Sequence, residues 1–274
     1  MKKVDIVIVH FGDPSITTKA IESLEKYITY RSIILINNDK NTKMPENVIA
    51  NKRIVYIENN ENVGFAAGVN KGIEIALKNG ADYVLLFNND ARAVDDFLTP
   101  LFNTFDIDRK AGILSPVISF KKDGTTYYDF GGMIQKYMGR TYHNNLLSYT
   151  KNDPVNVDYV SGCCMLISCN VIKEVGLFDS SFFLYYEDVD FCLRAKQKGY
   201  FSYCVPKSCV QHLLSKSTGQ NSDLSLYHLI KSARVFGKKY KDQFPFHQLY
   251  LLFQTGIFFI NFPFSLRSLI KGWV

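Results

Sequence analysis

The 274-residue chain lacks both glycine-rich phosphate loops that commonly classify an α/β protein: it has no G-x-x-x-x-G-K-[ST], and no G-x-G-x-x-G behind its first apolar run. A P-loop enzyme and an ordinary nicotinamide dehydrogenase are therefore disfavoured. No two of the six cysteines, Cys163, Cys164, Cys169, Cys192, Cys204 and Cys209, form a C-x-x-C pair. Their apolar neighbours suit buried, reduced thiols better than zinc or a disulfide framework. There is no arginine-rich helix and no alternation of aromatic and basic residues, so the net charge of +6 is not the footprint of a nucleic-acid binder. That charge suits an anionic substrate or an anionic membrane surface. The opening "MKKVDIVIVHFG" has two lysines before an apolar run, but Asp5 interrupts it and no small-residue cleavage site follows. It reads as a first strand rather than an export signal, which places the chain in the cytoplasm. Repeats and low-complexity tracts are absent, and a 47% hydrophobic content excludes disorder.

What the first half does contain is alternation. "VDIVIVHF", "SIILIN", "RIVYIE" and "YVLLFN" are short runs rich in Val, Ile and Leu, and helical patterns begin near Ser15 and Gly64. Such runs, continuous rather than alternating and separated by helices, predict a parallel sheet covered on both faces, an α/β doubly wound architecture. After "GILSPVISF" the turn-rich "KKDGTTYYDFGGMI" predicts a hairpin excursion. "VDYVSGCCMLIS" reads as a further buried strand, "NVIKEVG" as a short helix, and the chain from Ser225 as helical. These signals divide it into a large α/β unit over residues 1–222 and a helical region over 223–274. The apolar tail from Leu249 is interrupted by Gln254, Thr255, Asn261 and Pro263, too often for a bilayer span of about 20 apolar residues. With Arg267, Lys271 and Trp273 at its end it fits a membrane interface, and equally a packing surface on the main domain or on a second subunit of a homo-oligomer.

Ligands of open α/β sheets bind outside the carboxyl ends of the strands. Polar residues gather there: His10-Phe11-Gly12, Asn37-Asn38-Asp39, Asn59-Asn60-Glu61-Asn62 and Asn88-Asn89-Asp90. Each cluster alone is ordinary turn chemistry. Four of them on neighbouring strands predict a polar crevice for a small molecule. Gly64, Gly68 and Gly72 share one helix face at four-residue spacing and suit close packing. Without a phosphate loop, a nucleotide diphosphate needs a divalent cation, Mg²⁺ or Mn²⁺, which prefers a few carboxylate oxygens and completes its shell with waters and phosphates. Asp90, at the tip of "LLFNND", is placed to hold it.

Four motifs in order, "NVGFAAGVNKGI", "NNDARAVDDFL", "GLFDSSFFLYYEDVDFCLRAKQKGY" and "HLLSKSTG", resemble the family 2 glycosyltransferases of the GT-A fold. The likeness is to the rhamnosyltransferase-like branch that builds bacterial surface polysaccharides, and it runs over roughly residues 4 to 240. It implies a mostly parallel doubly wound sheet with a small antiparallel excursion and a C-terminal helical appendage. It also implies an inverting, metal-dependent hexosyltransferase acting between a nucleotide-diphosphate sugar and a saccharide or lipid-linked oligosaccharide, at the inner face of the cell membrane. Asp90 then binds the metal, with Asn88 standing where the family often has its first aspartate, and His212 matches a histidine that completes the shell in some relatives. Asp188 matches the catalytic base. Asn62, Gly64 and Phe65 line the donor pocket, which His10, Phe11, Gly12, Asn38 and Asn89 extend. Asn37-Asn38-Asp39 departs from the commoner Asp-Asn pair that contacts the nucleotide base, so the base stays open.

An acceptor hydroxyl is a poor nucleophile at neutral pH, so a carboxylate must take its proton as it attacks. That chemistry accounts for three acids, Glu187, Asp188 and Asp190, behind five large apolar residues. Tyr185 or Tyr186 is expected to stack on the acceptor sugar, while Glu187, Asp190 and Arg194 support the base, Asp190 and Arg194 pairing four residues apart. Acids also favour the first turn of a helix, and that alone suffices for Glu187. Two other readings stay in view: a degenerate subunit that binds a nucleotide sugar without turnover, favoured by Asn88, and a nucleotidyltransferase, disfavoured because "HFGDPSITTKA" is no glycine- and lysine-rich loop.

Overall fold

The computed structural model describes residues 2–150, 153–213 and 223–261. The first half runs β1 (Val4–His10), α1 (Pro14–Tyr27), β2 (Ser32–Asn37), the short α2 (Glu46–Ile49), β3 (Ile54–Glu58), α3 (Phe65–Lys78) and β4 (Tyr83–Phe87). The second half runs β5 (Ala91–Ala93), α4 (Leu98–Ile107), β6 (Ala111–Lys122), β7 (Thr125–Ile134), β8 (Thr141–Leu146), β9 (Val155–Val157), β10 (Cys164–Ser168), α5 (Cys169–Val175), α6 (Glu187–Gln197) and β11 (Phe201–His212). Helices α7 (Asp223–Lys239) and α8 (His247–Asn261) follow.

The strands join in one sheet of order β3-β2-β1-β4-β10-β6-β11-β5, with β7 and β8 extending from β6 and β9 pairing β11. Strands β1 to β4 are parallel neighbours. Their side chains alternate between two cores, as period 2 requires. Ile6 and Ile8 of β1 pack with Ala20, Ile21 and Leu24 of α1 and Leu98 and Leu101 of α4. Val7, between them, packs on the other face with Ala66, Val69 and Ile73 of α3. Each aliphatic side chain fully buried in this way stabilises by about 1.5–3 kcal/mol. Gly68 and Gly72 let α3 approach β1 closely, for a Cβ at Gly72 would stand 2.4 Å from Val7 Cγ1. Asp5, the one charge inside the first apolar run, is fully buried, and its carboxylate is satisfied by Arg31 and by Ser32 Oγ at 2.9 Å. An internal ion pair, not a break in the strand, explains it.

The sheet is mixed and mostly parallel, as expected, with β10 entering its centre antiparallel to both β4 and β6. One expectation needs correction: "VDYVSGCCMLIS" is not a single strand. Val157 pairs with Ser202 of β11 and Tyr159 bridges Gly132, after which the chain turns through Ser161 to Cys163 before β10 begins. Ser161 and Gly162 break what is otherwise an apolar run, and the turn that they begin supplies a wall of the site.

The excursion is β7 and β8, an antiparallel pair. Beyond β11, α7 buries Ile230, Ala233 and Phe236, and Phe236 joins the core that contains Phe182 and Phe191. All six cysteines are free, five of them buried. Among the described residues no helix is long and apolar enough to cross a membrane. The Arg267, Lys271 and Trp273 end of the tail, and most of "HLLSKSTG", lie outside the described residues.

Candidate active site

The parallel strands bring their carboxyl ends together, as β1 to β4 must. His10 does not line the crevice there. It is fully buried, with Nδ1 2.6 Å from Thr17 Oγ1 and Nε2 3.0 Å from Thr42 Oγ1, so both ring nitrogens are spent tying α1 to the loop after β2. Burial pushes its pKa below 6.5, against the weaker pull of Asp39 and Asp13. Phe11 stays exposed, and Gly12 N–H donates to Asp39 at 3.3 Å. Asn89 Nδ2 donates to the Phe11 carbonyl and to Thr17, both at 3.2 Å.

Asn38 is also buried and acts as a brace. Its Nδ2 donates to the Gly64 carbonyl at 2.9 Å, while its Oδ1 accepts from Asn59 Nδ2 at 2.6 Å. Asn59 in turn accepts from Lys71 of α3. Gly64 N–H donates to Asn62 Oδ1 at 3.0 Å. Gly64 has φ +85°, a left-handed conformation that a side chain would strain, and a Cβ there would stand 2.6 Å from the Phe183 carbonyl oxygen. Phe65 N–H donates to that same carbonyl at 2.8 Å. The loop before α3 is thereby stitched to the segment leading into α6.

Asp90, just past β4, meets His212, the last residue of β11: His212 Nε2 lies 3.0 Å from Asp90 Oδ1. Burial opposes a charge on the ring, but the hydrogen-bonded Asp90 carboxylate outweighs it and raises the His212 pKa. The Cys163 thiol rests against His212, and burial holds that thiol protonated. Its carbonyl accepts from Asn88 N–H at 2.8 Å. The adjacent Gly162 N–H donates to Asp188 Oδ2 at 3.0 Å. A Cβ on Gly162 would meet the Phe65 ring at 3.3 Å and Asp188 Cβ at 3.8 Å. One turn, Ser161 to Cys163, therefore has the Asp90–His212 pair on one side and Phe65 and Asp188 on the other. Asn88 makes no side-chain hydrogen bond among the described residues.

Asp188 sits in the first turn of α6, together with Glu187 and Asp190. The two residues before the helix, Tyr185 and Tyr186, both have φ +68°. Left-handed backbone at consecutive bulky residues costs on the order of 1–3 kcal/mol each and concentrates where geometry serves function. Tyr186 packs on Phe236 of α7 with ring centroids 5.2 Å apart. Asp188 is pushed above the usual carboxylate value chiefly by burial, with the Gly162 hydrogen bond and the charge of His143 pulling it back down.

Asp190 and Arg194 face away from this site. Asp190 is fully buried, accepts from Arg194 Nε at 2.8 Å and from Tyr240 Oη at 2.8 Å, and lies 2.6 Å from Lys239 Nζ. Arg194 also donates to the Val175 and Leu177 carbonyls. The two fasten α6 to α7 and to the turn after α5; they do not touch Asp188.

Glu187 is buried, and its Oε2 has no partner. Burial first, and then the Asp188 charge, raises its pKa well above the usual value. The fold thus favours the protonated acid, a stabilisation fully present below the unfolded pKa and lost as pH rises through the folded one. Glu187→Gln, which stays neutral, should gain on the native protein as pH rises. In melting curves from pH 5 to pH 9 the variant's Tm advantage should grow with pH, by about 2–4 °C for each kcal/mol. A constant or shrinking difference would mean that Glu187 ionises freely in the fold.

Several site residues carry no local sequence signal. Gly162 and Cys163 look like part of a strand. His143 of β8 donates or accepts through Nδ1 at 2.9 Å from Asp129 Oδ2 of β7, and its ring meets that of Tyr159 edge-on at 5.2 Å. Only the excursion's pairing register could have shown that these come to the same place.

The donor atoms at Asp90 and His212 fit a divalent cation in kind: a hard carboxylate oxygen and an imidazole nitrogen suit Mn²⁺ or Mg²⁺. Among the described residues no group of three or more His, Cys, Asp and Glu gathers into a closed cage. An open, two-residue set suits an ion that takes the rest of its shell from phosphate and water.

This is the GT-A fold. Over 88% of the chain it superposes on the crystal structure of GalNAc-T7 with UDP, GalNAc and Mn²⁺, with a TM-score of 0.66 at 18% identity, covering 49% of that chain. It also superposes over 98% of its length on the mannosyltransferase PcManGT from Pyrobaculum calidifontis in complex with GDP-Man and Mn²⁺ (TM-score 0.58, 11% identity, 73% of that chain). Residues 5–176 match the glycosyl transferase family 2 model, and the protein belongs to that family. Its relatives include the N-acetylglucosaminyl-diphospho-decaprenol L-rhamnosyltransferase of Mycobacterium tuberculosis, 27% identical over 75% of this chain and 74% of that protein. The dTDP-rhamnosyl transferase RfbF of Shigella flexneri is 22% identical over 76% and 71%. The low-salt glycan biosynthesis hexosyltransferase Agl10 of Haloferax volcanii is 29% identical over 53% of this chain, which spans about half (47%) of that protein.

Proposed function

We propose that the protein is an inverting hexosyltransferase that moves rhamnose or a similar sugar from a nucleotide-diphosphate donor to a saccharide acceptor carried on a lipid, in surface polysaccharide synthesis. The observation that carries this reading is the Ser161–Cys163 turn, which has the Asp90–His212 pair at one end and the Asp188 hydrogen bond at the other. The rhamnosyltransferase names of the relatives favour the sugar, and the decaprenol-linked acceptor named for one of them favours the lipid.

In the proposed reaction, the Asp188 carboxylate accepts the acceptor hydroxyl's proton as that oxygen bonds to the anomeric carbon. The carbon's bond to the diphosphate oxygen breaks on the opposite face, so the anomeric configuration inverts and nucleoside diphosphate leaves. Asp90 and His212 would hold a divalent cation, which supplies positive charge for the leaving diphosphate. Phe65 and the Phe182–Tyr186 segment exclude water from the reacting carbon, and Tyr185 presents a ring to the acceptor sugar. Asn38, Asn59 and Asn62 hold the donor loop in shape rather than reading the base.

The test is a donor screen with dTDP-, UDP- and GDP-sugars, with and without Mn²⁺ or Mg²⁺, read as binding and as slow donor hydrolysis. One donor class should bind and hydrolyse only with metal, and EDTA should abolish both. Binding that ignores EDTA, with no hydrolysis, would instead support a subunit that holds a nucleotide sugar without turnover, the reading that Asn88 favours.

A further inference from the structure

The face of β8 that carries Thr141 and His143, two residues apart and so on one side of the strand, is turned to Tyr159 and Tyr186, the tyrosines on either side of the Asp188 site. The Thr141 hydroxyl lies beside the hydroxyls of Tyr159 and Tyr186. His143 lies edge-on to the Tyr159 ring. Tyr186 comes two residues before Asp188, and Tyr159 three before Gly162, whose N–H donates to Asp188. Behind His143 stands Asp129, brought there by a bulge. Between the pairs Asp129 with Asn145 and Gly132 with His143, β7 advances one residue more than β8. The bulge is held by Asp129 Oδ1 accepting from Gly131 N–H at 2.9 Å, with Gly131 at φ +79°. Bulges of this kind re-aim side chains beside active sites. Gly132 completes the arrangement, because the Tyr159 ring occupies the space where its Cβ would lie, 2.0 Å from Cζ.

We propose that the Asp129–His143 pair is a positioning device for the base: Asp129 holds His143 as an imidazolium, and that positive charge keeps Asp188 ionised, and so able to take a proton, at neutral pH. The proposal rests on Asp188 being the base.

The groups facing Asp188 are Glu187 and Cys192 on α6, Tyr186 before it, Tyr159 and His143. Burial works against ionisation, Glu187 is itself held protonated, the two tyrosines and the thiol are neutral near pH 7, and His143 alone among these side chains supplies positive charge. The groups facing His143 are Asp129, Asp188 and Tyr159. Burial disfavours its charged form, but the Asp129 hydrogen bond and the two carboxylates outweigh that and raise its pKa above 6.5. The ring is 40% exposed, so solvent screens the interaction and the effect on Asp188 is set near the low end of what a neighbouring charge can do, about one pH unit.

The experiment is the pH dependence of kcat/KM for native protein, His143→Gln, His143→Arg, Asp129→Asn and Asp188→Asn, with Tm measured for each. His143→Gln should move the acidic limb to higher pH by about one unit and leave the alkaline plateau in place. His143→Arg, which restores a permanent positive charge, should move it back. Asp129→Asn should shift it in the same direction as His143→Gln, by less. If Asp188→Asn is inactive while the His143→Gln profile superimposes on the native one, the inference fails and the base assignment survives. If Asp188→Asn turns over normally, the base assignment fails and the inference with it. A uniform fall in activity at every pH, without a shift of the limb and without rescue by arginine, would mark His143 as structural and also overturn the proposal.

Discussion

Asp188→Asn should lose sugar transfer by about 10²–10⁴-fold in kcat, the usual contribution of a positioned general base, while its donor affinity stays native. The amide has nearly the shape of the carboxylate, and its oxygen can still accept from Gly162 N–H while the bond from Val189 N–H to the other oxygen is given up, so the Ser161–Cys163 turn and the neighbouring Phe65 wall need not move. What disappears is the capacity to take a proton. The pH profile of the native protein should agree in sign. Burial raises the Asp188 pKa above 3.8, and only the ionised form accepts a proton, so kcat/KM should fall as pH drops through a midpoint above the ordinary carboxylate range. Donor binding measured by calorimetry, set against single-turnover transfer, separates the two effects. Parallel loss of binding and transfer would place Asp188 in the donor pocket rather than at the acceptor hydroxyl. Retention of near-native turnover would remove it from the chemistry.

How much of this was legible in the chain depends on how local each signal is. Strands β1 to β4 are nearly continuous Val, Ile and Leu because both faces of a parallel sheet are covered, and that pattern survives without knowledge of the fold. Helix α1 announces itself through Asp13, whose carboxylate accepts from Ser15 N–H at 2.8 Å, followed by Pro14. The insertion of β10 between β4 and β6 left no comparable trace, since a buried antiparallel strand and a buried parallel one carry the same residues. Within the site, Asp90 could be placed from the end of β4 alone. Its meeting with His212, 122 residues later, depends on β5 pairing β11 and is invisible to periodicity. His10 shows the opposite failure. A histidine at a strand end suggests a ligand contact, yet Thr17 and Thr42, separated from it by 7 and 32 residues, consume both its nitrogens. Asp190, four residues before Arg194 at the start of α6, reads from sequence as a support for the neighbouring acid. The spacing predicted the pair, but the pair serves α7 through Lys239 and Tyr240, which no pattern within α6 could reveal.

Asp90→Ala should reduce metal-dependent donor binding to the level seen in EDTA and cut turnover by at least about 10²-fold, the equivalent of roughly 3 kcal/mol in the barrier. The reasoning begins with the donor atoms. A lone imidazole at His212 is a weak ligand for a hard ion, whereas Asp90 supplies the anionic oxygen that such an ion prefers. Removing it also strips His212 of the partner 3.0 Å away that fixes the ring. His212→Ala leaves the carboxylate in place and should therefore be the milder change, weakening metal affinity without abolishing it. The measurement is titration of Mn²⁺ into native and variant protein with a saturating nucleotide diphosphate, followed by electron paramagnetic resonance of the free ion. The order Asp90→Ala worse than His212→Ala is the expected result. Equal binding of Mn²⁺ by native protein and Asp90→Ala would detach the cation from the tip of β4, and the charge for the leaving diphosphate would have to come from basic side chains of the chain instead.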